Sequence, residues 1–144
     1  MSVIGYTTGV FDLFHVGHLN ILKRAKEQCD YLIVGVSTDE LVKYKGKTPV
    51  IPFCDRIEIV RNVRCVDAVV AQEDMDKLQM CKKLNATIMF VGDDWYKSDR
   101  WQEYEEAFAK EGIQIIYFPY TKNVSSTQIS KALTYLRKED SHED

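Results

Sequence analysis

Histidine is scarce here: the 144-residue chain has three. Cysteine is nearly as rare, and Cys29, Cys54, Cys65 and Cys81 show no paired spacing. That argues against a disulfide or zinc framework and predicts buried thiols in a reducing compartment. An excess of one charge sign is missing too, with a formal net charge of −3. Binding to nucleic acid or a membrane surface through bulk charge is therefore not expected. No apolar run is long enough to span a bilayer, and Met1–Tyr6 is too short for a signal peptide. These absences predict a cytoplasmic protein. Repeats, low-complexity tracts and linkers are also lacking. A single domain over residues 1–137 is expected, with a frayed polar tail, "KEDSHED", over 138–144.

What is present is alternation. Ile4–Thr8, Tyr31–Val36, Ala68–Ala71, Ile88–Val91 and Ile113–Phe118 read as short strands. The run "YLIVGV" does not alternate, which marks a strand buried on both faces. Between the strands, apolar residues recur at helical spacing. Leu19, Leu22, Ala25 and Cys29 make one stripe, and Phe53, Ile57, Val60 and Val63 a second. Leu78, Cys81 and Leu84 follow, then Trp101, Tyr104 and Phe108, and finally Ile129, Leu133 and Leu136. Trp101 and Tyr104 are expected in the core. Strand followed by helix, five times, predicts an α/β fold: a parallel five-stranded sheet with helices on both faces. Ligands of such sheets bind beyond the carboxyl ends of the strands.

The first strand-to-helix loop, "TTGVFDLFHVGH", holds two of the three histidines. Gly9 stands where the chain must turn and Gly17 opens the helix. A helix start presents unpaired N–H groups and the positive end of the dipole, and so favours anions. His15 and His18, three apart at that point, can both donate to one phosphate. Two histidines capping a turn is the plainer reading. A metal pair lacks further ligands, because His142 lies in the tail.

"HVGH" matches the HxGH signature of the nucleotidylyltransferase superfamily, and "GVFDLFHVGH" resembles its cytidylyltransferase form. "DRIEIVRNVRCVD", "VGDDW" and "VSSTQI" are similar to the later motifs of glycerol-3-phosphate cytidylyltransferases, in the same order. The similarity runs from Ile4 to about Leu133. It implies a Rossmann-like fold, a homodimer, and a magnesium-dependent reaction of CTP with a phosphorylated alcohol to give a CDP-alcohol and pyrophosphate.

The resemblance also implies roles. His15, His18, Lys47 and Arg64 are the expected catalytic residues. Thr8, Gly9, Val10, Phe11 and Asp12 line the nucleotide with the histidines, and Asp12 is a candidate for magnesium or for orienting a histidine; turn-capping competes with both. Lys45, Lys47, Arg56 and Arg64 are expected at substrate phosphates. Spaced eight apart, Arg56 and Arg64 can share one helix side, and surface ion pairs are the competing use. Gly92 and Asp94 are expected at the nucleotide, Asp94 with Asp93 and Trp95 close by. Ser125, Ser126 and Thr127 are placed on the β- and γ-phosphates, a role compatible with capping the last helix. The family has Arg-Thr where this chain has Tyr120-Thr121. Either Lys122 supplies the missing cation, or Tyr120 faces the acceptor, or it is structural.

Glycerol 3-phosphate is the first candidate acceptor; phosphocholine, phosphoethanolamine and other polyol phosphates are alternatives. Two rival functions remain: an adenylyltransferase of the same fold, for example one acting on FMN, and a nucleotide-binding protein without turnover.

Overall fold

The computed structural model describes residues 2–92 and 100–119. Five parallel strands form one sheet: β1 (Ile4–Gly9), β2 (Tyr31–Ser37), β3 (Ala68–Gln72), β4 (Ile88–Gly92) and β5 (Gln114–Phe118). Their order is β3-β2-β1-β4-β5. The strand order therefore reverses between β1 and β4, which places Gly9 and Gly92 at carboxyl ends on either side of the switch. β1 registers with β2 from Ile4↔Tyr31 to Gly9↔Val36, and with β4 through Tyr6↔Met89.

The helices are α1 (Val16–Glu27), α2 (Asp39–Tyr44), α3 (Phe53–Arg61), α4 (Lys77–Leu84) and α5 (Trp101–Lys110). Leu22 and Ala25 of α1 and Val60 of α3 pack on one sheet face with Phe11, Val34 and Phe90. Cys81 of α4 and Phe108 of α5 pack on the other with Tyr6, Ile33 and Met89. Burying each large apolar side chain contributes about 1.5–3 kcal/mol, so both stripes must face inward. The sequence misses α2, which is too short to show a period. Thr38 caps it by accepting from the Leu41 N–H. The last expected helix, around Ile129, lies outside the described residues.

Two expected burials are corrected. Tyr104 is 40% exposed, because Phe108 alone on α5 points fully inward. Cys54 is exposed at the start of α3, and only Cys81 is buried, its thiol pushed up to about 12 by desolvation. All four cysteines are unpaired.

One close approach governs the centre of the sheet. The buried Tyr6 hydroxyl donates to Gln72 Oε1. It lies over Gly35 of β2, where an added Cβ would stand 1.9 Å from the Tyr6 oxygen.

Candidate active site

The loop after β1 is strained. Phe11 has φ 55° and Leu13 φ 50°, and the left-handed region costs L-residues roughly 1–2 kcal/mol each. Packing holds the loop there. The Phe11 ring is buried, and its centroid is 5.5 Å from that of His18, in an edge-on arrangement. A Cβ on Gly9 would come within 3.2 Å of that ring.

His15 is the N-cap of α1, and its Nδ1 accepts from the Gly17 N–H at 3.0 Å. His18 Nδ1 accepts from the His15 N–H at 3.2 Å. This is a capping box built from two imidazoles. The capping and ligand readings thus concern different nitrogens of the same rings. Because each Nδ1 accepts, each ring carries its proton on Nε2. The rings stack with centroids 3.9 Å apart. Desolvation lowers the His15 pKa. It lowers that of His18 to about 4, with help from the neighbouring His15 and against the pull of Asp12. At neutral pH both rings are therefore uncharged donors.

A stability consequence follows. Between the ordinary histidine value of 6.5 and about 4, the unfolded chain binds a proton that folded His18 does not. Stability must fall as pH drops through that window. Thermal melts across it should decline, and His18→Asn should decline less steeply than the parent. Equal slopes would contradict the assigned environment.

The second wall is the loop after α2. Lys45 ends that helix, Gly46 turns at φ 82°, and the Lys47 N–H bonds the Val42 carbonyl at 3.1 Å. Lys45 and Lys47 are both exposed. The Lys45 ammonium is nonetheless held below the usual lysine value, first by local loss of water and then by the Lys47 charge.

Asp12 joins the two loops. Its carboxylate accepts from the N–H of Val50 at 2.8 Å and of Ile51 at 2.9 Å. Arg56 is wholly buried. Its Nε donates to the Ile51 carbonyl at 2.8 Å, and its Nη1 to the carbonyls of Val10 at 2.7 Å and Ser37 at 2.8 Å. Its Nη2 pairs with Asp39 at 2.7 Å. That arginine holds the Asp39 carboxyl below the usual range.

Thr8, Gly9, Val10, Phe11, Asp12, His15, His18 and Gly92 thus gather at the carboxyl ends of β1 and β4, with the lysine loop tied on through Asp12. Two expectations change. Arg56 is turned inward onto carbonyls and not toward a ligand. Both Asp12 oxygens accept from amides, and among the described residues no three His, Cys, Asp or Glu side chains cluster, an arrangement that a magnesium carried by substrate phosphates does not need. Arg64 does not share a helix side with Arg56. α3 ends at Arg61, and Arg64 is exposed in the turn leading to the amino end of β3, opposite the histidines. Sequence reasoning missed Asp39, because it lies on α2, a helix too short to show a period. Asp93, Asp94, Trp95, Tyr120, Lys122, Ser125, Ser126 and Thr127 lie outside the described residues.

Comparison with known proteins decides the family. The cytidylyltransferase-like family profile matches residues 6–132. The chain belongs to the cytidylyltransferase-like family. The match agrees with the span of the resemblance read from the motifs. A glycerol-3-phosphate cytidylyltransferase of Bacillus spizizenii is 38% identical over 90% of this chain and 96% of its own. An FAD synthase of Pyrococcus abyssi is 37% identical over 87% of this chain and 86% of its own. Among solved structures, a lipopolysaccharide core biosynthesis protein from Thermoplasma volcanium superposes with TM-score 0.72 at 27% identity, covering 86% of this chain and all of that one. Among the described residues no helix is long and apolar enough to cross a membrane.

Proposed function

We propose that this chain transfers CMP from CTP to a small phosphorylated alcohol, with glycerol 3-phosphate the first candidate. The observation that carries the reading is the imidazole capping box, two neutral Nε2–H donors held at a helix start above the switch in strand order. An oxygen of the acceptor phosphate attacks the α-phosphorus of CTP, the bond to the β-phosphate bridging oxygen breaks, and pyrophosphate leaves. The nucleophile is already an anion, so no general base is required. Charge grows on the non-bridging oxygens, where preorganised donors act most strongly. His15 and His18 supply those donors, and Lys45 and Lys47 offset the charge of the two approaching polyanions.

Magnesium enters with the triphosphate in this reading. Such ions are commonly held by substrate phosphates, water and few carboxylates, and the Asp12 oxygens are committed to Val50 and Ile51. The family resemblance supports a homodimer, and the unpaired thiols a reducing compartment.

The FAD synthase similarity supports a second reading, adenylyl transfer to FMN. Pyrophosphate release with CTP and with ATP, against glycerol 3-phosphate, phosphocholine, phosphoethanolamine and FMN, separates the two. CTP should win by several kcal/mol of transition-state discrimination, on the order of a hundredfold or more. ATP with FMN as the productive pair would establish the second reading, and release from no pair would leave a binding protein.

A further inference from the structure

We propose that Arg56 is a positioning residue which, with Asp12 and Asp39, clamps the lysine loop onto the histidine loop so that the donors of both reach the same phosphates. The proposal rests on the nucleotidyl-transfer reading for its consequence, but not for its geometry.

The guanidinium has no exposed surface. Three of its four bonds go to backbone carbonyls in three separate segments: Val10 in the histidine loop, Ser37 at the end of β2, and Ile51 in the lysine loop. A planar fork can serve acceptors in several directions at once, which one ammonium cannot.

Ile51 is held at both of its flanking peptides. Its N–H is held by Asp12 and its carbonyl by Arg56. Asp12 and Val10 belong to the same strained loop, so the two charged side chains draw Ile51 toward that loop from opposite ends. Asp39 completes the clamp. One of its oxygens takes Arg56 Nη2, and the other accepts from the Phe53 N–H at 3.3 Å. Residues 50–53 are thereby fixed at successive peptides.

A phosphate ligand and a clamp respond oppositely to loss of Asp39. If Arg56 bound phosphate, Asp39→Asn would release its charge toward substrate and lower one KM. If Arg56 clamps, Asp39→Asn weakens the anchor. Asp39 is partly exposed, at 35% of its side chain, so the variant spares the core.

The test is amide hydrogen exchange on the ligand-free protein, paired with steady-state kinetics, for Asp39→Asn and Arg56→Lys. Exchange at Val50 and Ile51 should quicken by about tenfold or more, the equivalent of one charge-assisted bond, while Val34 in β2 keeps its rate. Turnover should fall by about tenfold or more, with the loss mainly in kcat and shared by both substrates. The double variant should be little worse than Arg56→Lys. Uniform acceleration including Val34 would overturn the proposal, as would unchanged exchange at 50 and 51, or a lowered KM in Asp39→Asn. If the parent protein releases no pyrophosphate, the functional reading fails by itself, and the exchange data still decide the clamp.

Discussion

His18→Ala is expected to fold and to lose turnover by a factor on the order of 10²–10³, the cost of removing one preorganised donor from a developing oxyanion. The ring has two jobs on its two nitrogens. Nδ1 accepts the His15 N–H and closes the α1 cap. Nε2 carries the proton that would meet the α-phosphate. Alanine removes both, and the lost cap should cost about 1 kcal/mol of stability. The jobs can be separated. In His18→Asn, a short amide keeps an acceptor near the Nδ1 position, so stability should return while activity stays low. In His18→Gln, a longer amide places an N–H near the Nε2 position, and part of the turnover should return. Circular dichroism melts and pyrophosphate release measure the two quantities. Near-normal turnover in His18→Ala would remove the histidine from the mechanism.

Gly35→Ala is expected to destabilise the fold by about 2–5 kcal/mol. The added Cβ would stand 1.9 Å from the Tyr6 oxygen and 2.7 Å from its Cζ. Neither atom can retreat easily, since Tyr6 is fully buried and its hydroxyl is bonded to Gln72, itself 1% exposed. Overpacking of this kind costs about 1–3 kcal/mol, and a broken buried hydrogen bond adds a comparable amount. The sum is a large share of the stability of a domain this size. Tyr6→Phe removes the oxygen but not Cζ, so it should recover part of the loss in the double variant. Urea midpoints for the two single variants and the pair give the coupling. A Gly35→Ala variant within about 0.5 kcal/mol of the parent, the range of ordinary surface changes, would show that β2 shifts to accept the methyl group.

The local elements and the centre of the site were readable from the amino-acid order. Non-alternating apolar runs such as "YLIVGV" can be stable only as strands covered on both faces, and β2 is buried from Leu32 to Ser37. Periodic stripes such as Leu22 and Ala25 specify helices that must face that sheet. Two histidines three apart, between a strand run and a helical stripe, are readable as lying at a helix start, because the change of apolar period marks the junction. Local spacing could decide these features because the interactions behind them span only a few residues.

Tertiary structure decided the rest. The strand order sets β4 beside β1, and so brings Gly92 to the histidine loop, through pairings across more than eighty residues. Arg56 and Arg64 look alike on a helical wheel. One turned inward to carbonyls as far as 46 residues away, and the other fell beyond the helix end at the opposite edge of the sheet. Asp12 reads in the sequence only as the acid of its own loop, and folding makes it a latch for amides 38 and 39 residues on. Such choices depend on which unpaired backbone groups folding leaves within reach of a charged side chain. A buried charge must find partners there or not be buried, and that geometry exists only once the loops have met.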